Sequence, residues 1–170
     1  MKDVLIASFD MEIGGVERSL ISMLDSFDYK NNNVDLMLYS HTGDFMNLIN
    51  KKVNLISENK KYSTFRKSIG EIFKEGQVAL GISRLRAKRN CNKIAEKYKL
   101  NESSYVQMQL MWKYSMKYLP KLQKQYDIAI SYLWPHYFVA EKVNAKIKVA
   151  WIHTDYSKLD TDIELDSAKW

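Results

Sequence analysis

The first 27 residues, MKDVLIASFDMEIGGVERSLISMLDSF, constrain the fold most, because a strand, a paired-glycine turn and a helix follow one another without a gap. Residues 4–9 form an apolar run with the length of a buried strand, and Val16, Leu20, Ile21, Leu24 and Phe27 then repeat on one helical face. Gly14 and Gly15 lie between them. Paired glycines at a strand-to-helix turn allow positive φ and let a ligand approach where a Cβ would otherwise stand. The free amides at the start of the helix, together with its dipole, favour a phosphate or carboxylate there. The same pair also fits a tight turn that only packs the helix onto a sheet, so the glycines alone leave both uses open.

At 170 residues the chain has room for one domain with a real core, and its 46% apolar and 27% charged residues are a globular composition. Its single cysteine, Cys91, can form no internal disulfide and has no partner for a zinc site, which suits a reducing compartment. The apolar run after Met1 is too short for a signal peptide, and no stretch reaches the roughly 18 apolar residues of a membrane span. The expectation is a cytoplasmic protein. Its net charge of +6 is concentrated in residues 58–99, where twelve basic residues face four acidic ones for a local +8. A patch of this kind attracts an anionic membrane surface or a polyanion, or is simply a solvated helical face. Nucleic acid is not expected as the partner.

Further along, residues 34–40 (VDLMLYS) and 53–57 (VNLIS) read as strands, with a short helix over 43–50 between them. From 64 to about 119 the spacing turns helical, through Phe65, Ile69, Ile72 and Phe73, then Leu80, Leu85, Ile94 and Tyr98, then Val106, Leu110, Tyr114 and Leu119. Two or three helices are expected, interrupted somewhere among Gly70, Gly76 and Gly81. Strand character returns at 126–133 (YDIAISYL), Pro135 opens a helix to about 143, and 145–152 (AKIKVAWI) is a further strand. The polar tail 154–170 carries no clear pattern. Alternating strands and helices imply an α/β fold with a parallel sheet, whose ligands bind at the carboxyl ends of the strands.

That rule directs attention to four loops. They hold Gly14 and Gly15, His41 with Gly43 and Asp44, Trp134 with His136, and His153 with Asp155. His153 could serve as a base or a hydrogen-bond donor, with Asp155 orienting it, or the two could simply cap a turn. Arg18 could meet an anion or pair with a surface acid. Trp134 could stack on a sugar or fill space beneath a loop. His41 and His136 stand alone in sequence, so no metal site is expected. The Walker pattern GxxxxGK[ST] is absent, and DMEIGGVERSL lacks the third glycine of a dinucleotide fingerprint, so no cofactor is assigned.

With its N-terminal strand, IGGVERSL opening a helix and WIHTDY after a later strand, the chain resembles the N-terminal half of GT-B glycosyltransferases, and within them retaining enzymes of glycosyltransferase family 4. That family's first loop commonly reads GGxER, which Gly14, Gly15, Glu17 and Arg18 match. The resemblance implies a Rossmann-like parallel sheet sandwiched by helices, spanning 1–170 as the acceptor-side domain. It implies transfer of a sugar from a nucleotide-sugar donor to a hydroxyl of a carbohydrate or lipid-linked acceptor, in surface polysaccharide or glycolipid synthesis. Gly14 and Gly15 would face the donor diphosphate. His153 would be the catalytic position, acting as a hydrogen-bonding positioner rather than a nucleophile, while Arg18, Trp134, His136 and Asp155 would belong to the acceptor-side loops. The basic segment would meet an anionic membrane surface, making the protein peripheral. The second GT-B domain, which grips the nucleoside, has no counterpart here, so a truncated chain with little transferase activity of its own is expected. The alternative is a non-catalytic α/β binding module that docks on anionic membrane or a protein partner through its basic helical segment.

Overall fold

The computed structural model describes residues 1–100, 102–155, 159 and 161. The chain divides into two compact units, one formed by Met1–Ser63 and Lys121–His153, the other by Thr64–Pro120 and Thr154–Trp170. The first is α/β and Rossmann-like. Its strands are β1 (Lys2–Ser8), β2 (Asn32–Leu38), β3 (Asn54–Leu55), β4 (Gln125–Ser131) and β5 (Asn144–Ala150). They form one all-parallel sheet in the order β3-β2-β1-β4-β5. Helix α1 (Gly15–Asp25) links β1 to β2, and a 3-10 turn over Asp44–Leu48 lies between β2 and β3.

The two faces of the sheet are built differently, because successive strand residues point to opposite sides. On one face Val4, Ile6, Val34, Leu36, Leu38, Ile130 and Tyr132 pack with Leu20 and Leu24 of α1 and with Met11. Each such aliphatic side chain contributes about 1.5–3 kcal/mol when fully buried. The opposite face carries an aromatic box of Phe9, Tyr39, Tyr62 and Phe138, with ring centroids 5.0–5.6 Å apart. Burial pushes the phenols of Tyr39 and Tyr62 well up from their ordinary values, so both stay protonated.

The other unit is helical. Its helices are α2 (Ile69–Lys74), α3 (Val78–Tyr98) and α4 (Ser104–Ser115), matching the upper number expected. Ser68 and Glu71 form a reciprocal capping box at the start of α2. The expected interruption is at Gly76, whose φ of +74° ends α2, whereas Gly70 and Gly81 lie within helices. A Cβ on Gly81 would strike the Phe73 ring, so glycine there lets α2 and α3 approach. Arg84 donates to the carbonyls of Thr64 and Lys67, and Phe65 stacks on Trp112 at 4.1 Å. Leu85 and Tyr98, expected among the inward-facing positions, are instead exposed, because the buried row of α3 runs through Leu80, Ser83, Ala87 and Cys91. The fifth helix, α5 (Tyr137–Lys142), belongs to the α/β unit and connects β4 to β5.

At the amino edge of the sheet one cation joins three strands. Lys124 lies 2.8 Å from Asp3 and 3.1 Å from the buried Asp35, which also accepts from Tyr126 Oη (2.8 Å) and Asn54 Nδ2 (2.9 Å). The Lys124 bond holds the Asp3 carboxyl below its usual value. Partial burial works against the Lys124 ammonium, but its bonds to Asp3 and Asp35 outweigh this and hold it above the usual lysine value. The Asp3 contribution is therefore present above the unfolded carboxylate value near pH ~3.9 and is lost as pH falls through the lowered folded value. That of Lys124 is present below ~10.4 and is lost as pH rises through its raised folded value. Lys124→Met should cost about 1–3 kcal/mol at neutral pH in urea melts, chiefly by leaving the buried Asp35 carboxylate without its cation. The deficit should narrow as pH falls through the lowered Asp3 value; a deficit independent of pH would assign the loss to packing instead.

Candidate functional site

The connections from β1 and β4 leave in opposite directions, so the sheet has its switch point between these two neighbouring strands. In open α/β sheets ligands enter the crevice this creates at the carboxyl ends. Here the loop after β1 leads into Gly14, Gly15 and α1, and the loop after β4 carries Trp134 and His136.

The glycine pair sits at the start of α1, but its backbone is not what the motif suggests. Gly14 is the N-cap with φ −161° and ψ 165°, an extended conformation open to any residue, and Gly15 has no positive φ either. What glycine supplies at 14 is space: a Cβ there would collide with the Glu17 carboxylate, which folds back over the helix start. A carboxylate in this place is stabilised by the helix dipole. Gly15 is exposed, and a Cβ added to it would meet nothing within 4 Å. The first amides of any helix lack intrahelical acceptors, so the start of α1 keeps donors available for an anion.

Left-handed backbone occurs instead at Gly43, where φ is +108°. A Cβ there would overlap the Met11 carbonyl and the Glu12 amide nitrogen. The loops after β1 and β2 are in fact locked together, with Met11 N–H donating to Thr42 O and Phe45 N–H to Met11 O, both at 2.9 Å. Asp10 is buried there and accepts from Glu12 N–H at 3.4 Å, as an aspartate in a turn does. The Arg18 guanidinium lies 5.3 Å from the centre of the Phe45 ring, so this exposed cation is stacked on the same locked loop.

At the end of β4 two consecutive residues send side chains to opposite faces. Ser131 is buried and its Oγ lies 2.8 Å from His136 Nδ1, which places His136 at the start of α5. Tyr132 joins the cluster under α1, donates to Ser19 Oγ at 2.8 Å, and meets the His153 ring edge-to-face at 4.7 Å. Trp151 extends this group, 5.6 Å from Tyr132 and 6.5 Å from His153. Of the residues singled out from sequence, His153 is thus tied through Tyr132 to the helix that Gly14 and Gly15 open. His136 is held on the other side of the sheet, and Trp134 is half-buried in the loop between. Asp155 is exposed and falls in the helical unit. Ser19, Ser131, Tyr132 and Trp151 were missed as site residues; for Ser131 and Tyr132 the signal available was their place at the carboxyl end of a strand. Among the described residues no three His, Cys, Asp or Glu side chains gather as a metal site requires.

No protein-family model, curated protein or solved structure matches this chain.

The geometry separates structural from functional glycine. Gly43→Ala should destabilise the protein by about 1–3 kcal/mol, since it forces an L side chain into strained backbone against a neighbouring loop. Gly15→Ala should change stability by less than about 1 kcal/mol, because the backbone there is permissive and a methyl has room. Gly14→Ala should fall near Gly15→Ala, since the Glu17 side chain can swing away. Equal losses at all three positions in denaturant titrations would contradict this assignment.

Proposed function

We propose that this chain is the acceptor-side domain of a retaining GT-B glycosyltransferase, carrying a sugar from a nucleotide-sugar donor to a hydroxyl of a carbohydrate or lipid-linked acceptor. The observation that carries the reading is the open start of α1 at Gly15, at the switch point of a Rossmann-like sheet, joined through Ser19 and Tyr132 to the ring of His153. Helix amides aimed at a departing diphosphate would stabilise the charge that builds on it. His153 would hold the reacting sugar by a hydrogen bond. Arg18 is exposed beside the same helix start and would add positive charge to the crevice. His136, fixed to Ser131 beneath the sheet, would position the loop bearing Trp134. No enzymatic nucleophile is assigned, and the grip on the nucleoside would come from a second domain. The protein would work in the cytoplasm, peripherally at the membrane; no described helix is long and apolar enough to cross one.

Inorganic pyrophosphate isolates the part of the donor that this side of the cleft would meet. In an NMR titration it should shift the amides of Gly15, Val16 and Glu17, with an affinity no tighter than about millimolar. Glu17→Gln, which removes the carboxylate lying over Gly14, should bind about two- to fivefold more tightly. Shifts elsewhere, or none at saturation, would remove α1 as the anion end. Tight binding of a whole nucleotide sugar in calorimetry would contradict the division between domains. In a preparation that turns over, His153→Ala should lower kcat more than it raises KM, as for an interaction made mainly in the transition state. Unchanged turnover would take His153 out of the site.

A further inference from the structure

At the amino edge of the sheet, the end opposite Gly14 and His153, a cavity of about 590 Å³ opens beside the turn from α1 into β2. That volume lies within the range of small-molecule sites, roughly 300–1,000 Å³. The cavity exists because β3 has only two residues and pairs with β2 at Asp35 and Leu36, so the first residues of β2 run on past their neighbour. One wall is aromatic, with the rings of Phe27 and Tyr29 6.4 Å apart. The Tyr29 hydroxyl donates to the Leu24 carbonyl at 2.6 Å, which fixes that ring in place.

Three asparagines supply the polar lining. Asn32 Nδ2 donates to the Asp28 carbonyl at 2.9 Å, Asn33 Nδ2 to Asp3 Oδ1 at 3.3 Å and Asn54 Nδ2 to Asp35 Oδ1 at 2.9 Å. Every partner is an oxygen, so the NH₂ end of each side chain must face it and the amide plane is set. Each amide keeps its carbonyl oxygen and a second N–H for a ligand. Acceptor and donor side by side suit hydroxyl groups, which both give and receive hydrogen bonds. Asn32 and Asn33 alternate across the strand, so the amides stand around its edge rather than in one plane. They therefore fit hydroxyls set around a saccharide ring better than the edge of a flat base. Charge points the same way, because Asp28 and Asp35 in the lining are balanced by Lys30 and Lys52. An anion would meet carboxylates there as well as ammonium groups, whereas a neutral ligand meets no net field.

We propose that this cavity binds a neutral saccharide of one or two units, with an apolar ring face against Phe27 and Tyr29 and hydroxyls paired with Asn32, Asn33 and Asn54. The proposal rests on the amino edge alone and stands whether or not the chain takes part in glycosyl transfer.

Nitrogen–proton correlation NMR of the full chain, titrated with cellobiose, maltose, lactose and N,N′-diacetylchitobiose, tests it. At least one should shift the side-chain amide signals of Asn32, Asn33 and Asn54 together with the Tyr29 backbone amide, with Kd about 1–10 mM. Added salt should leave that affinity unchanged, since no ion pair forms. Asn33→Ala should weaken binding about fivefold, for the loss of one hydrogen-bonding side chain. Tyr29→Leu, which keeps an apolar side chain but removes the flat ring, should weaken it about tenfold. Asn33 is exposed, and an unchanged circular dichroism spectrum confirms that its variant folds. No shift with any of the four sugars, equal shifts with inorganic phosphate or adenosine, or Asn33→Ala binding as wild type would each overturn the proposal. So would saccharide shifts confined to Gly15, Val16 and His153, an outcome that leaves the glycosyltransferase reading standing. Failure of pyrophosphate to bind at α1 would remove that reading and leave this site untouched.

Discussion

The α/β unit depends on β1 being held from both sides at once. It is paired along its whole length with β2 and over Val4 to Ala7 with β4, and both of its faces are buried. A strand in that position cannot shift register without turning an entire apolar set toward the wrong face. Its carboxyl end is therefore a fixed point, and the loops leaving it inherit that fixity. The ladder even continues past the strand, since Tyr39 and Ser40 N–H donate to the carbonyls of Ser8 and Phe9, and Tyr132 N–H to Ala7. The start of α1 and the end of β4 are rigid relative to each other for this reason. Groups carried on these two segments therefore keep their places before any ligand arrives.

That rigidity explains the fate of the two histidines in the carboxyl-edge loops after β4 and β5. One residue of offset between Ser131 and Tyr132 is enough to assign them to different faces, because side chains along a strand alternate. His136 follows Ser131 and becomes part of the support under α5. His153 follows Tyr132 and stands on the side of α1. Their roles divide accordingly, one toward holding the loop and the other toward the open edge.

Periodicity made the strands, α1 and the helical character of residues 64–119 legible from sequence, since each depends on local spacing of apolar residues. What sequence hid was whatever depends on distant contacts. Paired glycines at 14 and 15 look like the conformational requirement, yet the strained glycine is Gly43, because its neighbour is the loop some thirty residues earlier. Leu85 reads as core because it lies near a helical spacing from Leu80, and only the packing of α3 shows that two rows had been merged into one. The Ser131–His136 pair was hidden for a simpler reason. A serine ending an apolar strand has no periodic signature, and the histidine it meets lies beyond a turn.

Glu17 gives the start of α1 a selectivity that the glycines alone would not. A helix N-terminus carries about half a unit of positive charge, and a carboxylate folded over Gly14 already answers it. A singly charged ligand arriving there would gain little, because it replaces one negative group by another and must also displace the side chain. A diphosphate brings several acceptor oxygens and more charge, can engage both the helix amides and Arg18, and so has a reason to displace Glu17. The same carboxylate offsets part of the charge of the helix end when no ligand is bound, while no side chain caps its first amides. For a domain proposed to meet only the phosphates of its donor, an open helix start with a carboxylate folded beside it, which a stronger anion displaces, fits weak, charge-dependent binding better than a bare helix end would.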